Sequence, residues 1–286
     1  MDTIVFLGTA GDSSVTSKQL RASGGIVLQI DDMQFHIDPG PGALVRAKEF
    51  GINPRGTTAV LVSHNHLNHS NDVNAVIDAM TLGGFDKKGV LIANQSTIQG
   101  DKLHSPAVSG FHHSCLERVI QLSPGQKAAL EDVEIHAFAA LHTDPTALGF
   151  KILAPRFTLG YSGDTAYSKD VAAALDGCDI LILNVTFPEA TKTDCHLNRA
   201  DAVKIIEKVK PKLAIITHFG FDMLKADPLQ EARHMHLLAG VQVVAAHDGM
   251  VLSPQSYAAH SKQARLTTFV ESEKAEQEKS EVKMDG

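Results

Sequence analysis

Residues 63–72 read SHNHLNHSND and follow directly on the apolar run TTAVLV at 57–62. His64, His66 and His69 therefore leave the end of a buried strand in close succession. In an extended segment His64 and His66 face the same way, and His69, at the opening of the next helix, can turn back toward them. A lone histidine at a strand end is more often an ordinary hydrogen-bonded loop residue, but three at this spacing behind a buried strand form a metal-binding pattern. Imidazole nitrogens joined by some carboxylate are the donors of zinc-type cations.

The same logic applies along the chain. TIVFLGTAG (3–11) reads as a strand running into a glycine turn, and GGIVLQIDDMQFHIDPGPG (24–42) as a hairpin about Asp31 and Asp32. ALVRAKEFGI reads as a helix, and NDVNAVIDAMT as a second one with Ser70 or Asn71 as its N-cap. KGVLIANQ and the alternating VEIHAFAAL read as strands, separated by a polar, histidine-bearing loop that contains His104, His112 and His113. A similar order follows: a hairpin (ALGFKILAP, RFTLGYSGD), a helix, the buried strand CDILILNVT, the helix RADAVKIIEKVK, the strand KLAIITHFG and the run VQVVAAHDGMVL. Strands alternating with helices in two halves predict an α/β protein, a four-layer αββα sandwich spanning 1–254. The charged, apolar-poor segment 255–286 reads as a largely disordered or loosely helical extension.

Further ligand candidates fall at the exits of these strands: His142 after AFAAL, Asp164 in YSGDT and His218 after LAIIT. Loops at one edge of a sheet are where α/β scaffolds assemble sites. Five histidines and an aspartate suit one or two ions, zinc first, with manganese or iron also accommodated.

Composition narrows the function. A net charge of −7 argues against a protein that coats nucleic acid nonspecifically, since such binding needs many lysines and arginines. No apolar run approaches the ~18 residues that cross a bilayer. Three scattered cysteines and no leader-like N-terminus point to a reducing, cytoplasmic setting.

With these motifs in hand, SHNHLNHSND resembles the H-x-H-x-D-H signature of the metallo-β-lactamase superfamily, and His142, Asp164 and His218 are similar to its later motifs in order. FLGTAG, HIDPGPG, YSGDT and HLNRADAVKIIEKVKPKLAIITHF look closest to ribonuclease Z-type phosphodiesterases. The resemblance implies that His64, His66 and His142 hold a first metal, that His69 and His218 hold a second, and that Asp164 bridges them. It implies that His196 assists the leaving oxygen and that Asp38 supports the ligand loop. The chain departs from the pattern at three places. Asn68 stands where an aspartate usually binds the second metal and orients the attacking water, which predicts a weaker second site and makes Asn68 a catalytic position of interest. Few residues separate His142 from Asp164, so the tRNA-clamping arm is missing. Asn184 replaces a frequent glutamate.

The expected activity is metal-dependent hydrolysis of a phosphodiester or small ester-like bond, with a small-molecule or short phosphodiester substrate and room for a homodimer. The alternative is a metal-binding protein of the same fold whose hydrolysis is weakened or lost through Asn68. An iron oxidoreductase on this fold is disfavoured, because such relatives carry a flavin domain and a glutamate where His66 stands.

Overall fold

The computed structural model describes residues 2–188, 191 and 193–258; the extension from 259 onward lies outside the described residues. Two mixed sheets pack face to face. The first runs, edge to edge, Val251–Leu252, Thr3–Phe6, Ile26–Ile30, Met33–Ile37, Ala59–Val62, Val90–Ala93 and Arg118–Gln121. The second runs Val243–Ala245, Leu213–Thr217, Ile180–Phe187, Thr158–Tyr161, Leu148–Leu153, Val133–Ala139 and Lys127–Leu130, with the two-residue strand Leu197–Asn198 beside Ile180–Phe187. Each sheet is antiparallel in one half and parallel in the other. The alternation read from the sequence is the cause: hairpins give antiparallel pairs, and strand–helix–strand passages give parallel ones.

The main core lies between the sheets, where Phe6, Leu28, Phe35 and Leu61 meet Phe150, Ile152, Leu159 and Ile182. Strands buried on both faces read as continuous apolar runs, as in Ala59–Val62 and Leu213–Thr217. The outer face of the second sheet is covered by helices Lys169–Ala174, Arg199–Val209 and Pro228–Ala239. Helices Ala43–Glu49, Val73–Thr81 and Gly110–Cys115 cover the first. This is the expected αββα order. Among the described residues no helix is long and apolar enough to cross a membrane, and all three cysteines are free.

Local departures have local causes. A single turn, Leu67–Ser70, precedes helix Val73–Thr81, so the residue before that helix is Asp72 instead of Ser70 or Asn71. Its carboxylate does not cap its own helix; it accepts the amide N–H groups of Gly42 and Ala43, 2.9 Å each, at the opening of Ala43–Glu49. The histidine-bearing loop contains helix Gly110–Cys115, capped by Ser109, whose side chain accepts from the His112 N–H. Cys115 anchors that helix in the core. The run VQVVAAHDGMVL is divided between the sheets, and Ala258 is also buried in the main core.

Candidate metal centre

Ligand-bearing loops from both sheets meet at one end of the seam. His64, His66 and His69 follow strand Ala59–Val62 of the first sheet. His142, Asp164 and His218 follow Val133–Ala139, Thr158–Tyr161 and Leu213–Thr217 of the second. The structure thus brings all six predicted ligands together. Ligand atoms of His64, His66 and His142 lie within 4.8 Å of one another, as do those of His64, His69 and Asp164, and those of Asp164, His196 and His218.

The hydrogen bonds fix which nitrogen is free in His64 and His142. Ser63 Oγ donates to Asp38 Oδ2 (2.6 Å), so it accepts from His64 Nδ1 (2.9 Å) and leaves His64 Nε2 as a bare lone pair. That atom is buried and has no hydrogen-bond partner. His142 donates Nδ1–H to the Cys195 carbonyl (2.8 Å), freeing its Nε2, which lies 3.0 Å from His66 Nδ1. His69 gives Nδ1 to Asp38 Oδ2 (2.9 Å) and turns Nε2 to His218 Nε2 (3.0 Å). Asp164 Oδ2 is central: 3.3 Å from His69 Nε2 and 3.9 Å from both His64 Nε2 and His142 Nε2, while Oδ1 is 3.2 Å from His218 Nε2. Two nitrogens of a tetrahedral zinc ion stand about 3.3 Å apart. The orphaned His64 nitrogen, the opposed ring nitrogens and the central carboxylate fit such ions. An orphaned buried polar atom costs free energy that a cation would recover.

Charge sets His69 apart from His64, His66 and His218. Burial pushes the imidazolium of His64 well below its ordinary range, and burial, helped by His142, lowers His66 to about 4. Burial acts on His69 too, but the carboxylates of Asp164 and Asp38 outweigh it and raise His69 to about 10. Burial lowers His218 to about 3 against the pull of Asp164. The Asp164 carboxyl is pushed up by burial, yet His218 and His69 hold it well below the usual carboxylate range.

Asn68 differs from expectation in its orientation. Its Nδ2, not its carbonyl oxygen, faces the second cluster, donating to the Gly11 carbonyl (2.9 Å) and lying 3.1 Å from His218 Nε2. The contact with a carbonyl oxygen determines which end of the amide points there. Gly11 allows this approach, since a Cβ on it would sit 2.1 Å from the His218 carbonyl oxygen. His218 itself holds a left-handed φ of 64°.

Asp38 is buried with a full set of donors: the Ser63 N–H and hydroxyl, His69 and the Tyr161 hydroxyl (2.6 Å). His196 places Nδ1 3.3 Å from Thr186 Oγ1 and 3.7 Å from Asp164 Oδ2, and the Thr186 hydroxyl also meets His218 Nδ1 (3.0 Å). Asn184 donates to Asp164 Oδ1 (2.7 Å). A glutamate there would set a second carboxylate against the aspartate, so the amide suits this site.

Asp144 escaped the sequence reading. Its buried carboxylate accepts from the Asn65 N–H (3.1 Å), Asn94 Nδ2 (3.0 Å), the Ser96 hydroxyl, and the N–H (2.8 Å) and hydroxyl (2.9 Å) of Thr146. It ties together the loops carrying His64, His66 and His142. Burial pushes its carboxyl up, but Ser96 and the backbone amides of Thr146 and Asn65 bring it below the ordinary range.

A cavity of about 490 Å³ opens beside Asn68, His142, Asp164 and His196 and reaches the hydroxyls of Ser13, Thr16 and Ser17.

A two-sheet sandwich with a histidine–aspartate cluster at one end of the seam defines a class, and the sequence matches it: residues 34–219 match the β-lactamase superfamily domain. The chain belongs to that superfamily. It is 34% identical over 249 residues to an uncharacterized protein of Methanocaldococcus jannaschii, covering 86% of this chain and 93% of the relative. It is 25% identical over 276 residues to ribonuclease Z of Pyrobaculum neutrophilum, covering 84% and 92%. The crystal structure of the metallo-β-lactamase fold protein YhfI from Bacillus subtilis superposes with a TM-score of 0.71 at 20% identity, covering 88% of this chain and 98% of that one.

Proposed function

We propose that the protein is a cytoplasmic, zinc-dependent hydrolase of small phosphodiesters. The observation that carries this reading is Asp164 Oδ2, within 3.9 Å of ring nitrogens from both clusters, the position a bridging carboxylate needs. His64, His66 and His142 would hold the first ion, His69 and His218 the second. Bound ions of this kind supply Lewis acidity and an acidified water. The rest falls to the chain: Asp38 fixes His69 through Nδ1, Asn184 orients Asp164, and Thr186 holds the rings of His196 and His218. His196, with 22% of its side chain exposed, hydrogen-bonds the leaving oxygen from the cavity side.

The ribonuclease Z relatives support a phosphodiester substrate. The net charge of −7, and the absence of lysine or arginine among the described residues lining the cavity, support a small one. Elemental analysis with bis(4-nitrophenyl) phosphate hydrolysis tests the reading: expected are near-stoichiometric zinc and metal-dependent turnover. Metal below about a tenth of an equivalent sinks it. Efficient 3′ processing of precursor tRNA would overturn the substrate class. One observation favours a second reading, a metal-binding protein with little turnover: the Asn68 amide is aimed at the His218 lone pair that a second ion would use.

A further inference from the structure

Beyond Leu67 lies a second depression of about 600 Å³, bordered by Asn71, Leu103, His104 and Ser105, and it shares His66 and Leu67 with the cavity that holds His196. A diester centred on the metal cluster therefore has one arm toward each. We propose that this groove binds the retained ester group of the substrate, and that the group is an uncharged, planar ring of aryl or nucleobase type. The inference rests on the hydrolase reading, which puts the leaving group on the His196 side.

The chemistry of the walls selects that occupant. Among the described residues lining the groove none is Asp, Glu, Lys or Arg, so a charged group finds no counter-ion. Leu67 and Leu103 offer apolar surface, 64% and 88% exposed, and the His104 ring stands 6.0 Å from that of His66. Side chains of this kind pack on flat rings. The Asn71 amide, on the same walls, can pair with ring-edge heteroatoms.

The wall is also built in place. Asp101 Oδ1 accepts the N–H groups of Leu103 and His104 at 2.7 Å each, and faces His104 Nδ1 at 3.0 Å. Asn65, between the first two ligand histidines, donates Nδ2 to the Ser105 carbonyl (3.0 Å) and to that of Ser96 (2.9 Å). The turn presenting Leu103 and His104 is therefore fastened to the ligand loop itself, and less ordering is left for binding.

The test compares bis(4-nitrophenyl) phosphate with methyl 4-nitrophenyl phosphate, which share a leaving group and differ in the retained one. In the zinc-loaded protein, Leu103→Ala and His104→Ala should each lower kcat/KM for the bis-aryl ester about tenfold, through KM, and leave the methyl ester within about twofold. Equal effects on both esters, or none on either, overturn the groove while the hydrolase reading stands. If the wild-type protein turns over neither ester, the hydrolase reading fails. Calorimetric titration with diphenyl and dimethyl phosphate then decides the groove alone: preferential diphenyl phosphate binding that both variants abolish supports it, and binding without preference overturns it. Unchanged zinc content and melting temperature establish that the variants fold.

Discussion

The two halves of the metal centre are built from the same imidazole chemistry yet are prepared to different degrees. Around His64, His66 and His142 the buried His64 Nε2 has no partner, His142 Nε2 faces His66 Nδ1 at 3.0 Å, and two rings are held from behind by Ser63 and the Cys195 carbonyl. Around His69 and His218 the neighbouring Asn68 turns an N–H toward His218 Nε2 while hooked to the Gly11 carbonyl. The first half offers a cation a bare nitrogen at His64. The second must give up a hydrogen bond and a proton to take one. A metal site is set as much by which lone pairs its neighbours occupy as by how many ligands it counts.

The strongest way to break this comparison is to remove a ligand from the prepared half. His66→Ala should lose most of the first-site metal and lower hydrolysis by about 10³-fold or more; unchanged occupancy by elemental analysis would make the cluster ordinary surface. Next comes Asn68→Asp. A carboxylate cannot donate to Gly11, so the metal-free variant should melt lower than wild type, whereas the zinc-loaded variant should hold its second ion more tightly and turn over about 10²–10³-fold faster. Parallel melting curves and metal titrations check both signs, and no change in either would place Asn68 outside the coordination sphere.

Asp144→Asn acts on the first half alone. It strips an acceptor from the knot of Asn65, Asn94, Ser96 and Thr146, and first-site affinity measured against a chelator should fall about 10–100-fold with the second site little changed. The smallest effect, taken per unit, is that of pH. His69, raised to about 10 in the metal-free protein, is protonated at neutral pH and must release that proton to ligate. Second-site affinity should therefore rise with pH up to about 10, approaching tenfold per unit. His64 and His66, lowered by burial, are neutral already, so neither should add a pH slope to first-site affinity above pH 5. Equal slopes for both ions would remove the distinction.

The sandwich and the five histidines and one aspartate that gather at its seam were legible because their signals are short-range: apolar runs of strand length, each followed by a histidine or aspartate at its exit. What could not be read depends on partners far apart in sequence. Asp144 sits in the unremarkable loop HTDPT, and only the fold brings Asn65, Asn94 and Ser96 to it. The direction of the Asn68 amide is decided by Gly11, fifty-seven positions earlier. Strand Lys127–Leu130 was missed because KAAL carries little β-branched signal, and pairing with Val133–Ala139 makes it a strand. Helix Gly110–Cys115 is too short for periodicity to show.

His64, His66 and His69 hang from one sheet and His142, Asp164 and His218 from the other, so an ion held between them would act mechanically as a rivet through the seam. Away from that end the sheets are joined by apolar packing and by Arg156 of the second sheet, which pairs with Asp2 and Asp31 of the first; at the rivet they would be pinned by ligands drawn from both plates. Stripping the metal should leave each plate intact and free their margins to part there first, with amide exchange quickening around residues 63–70 and 141–144 while the strands behind them stay protected.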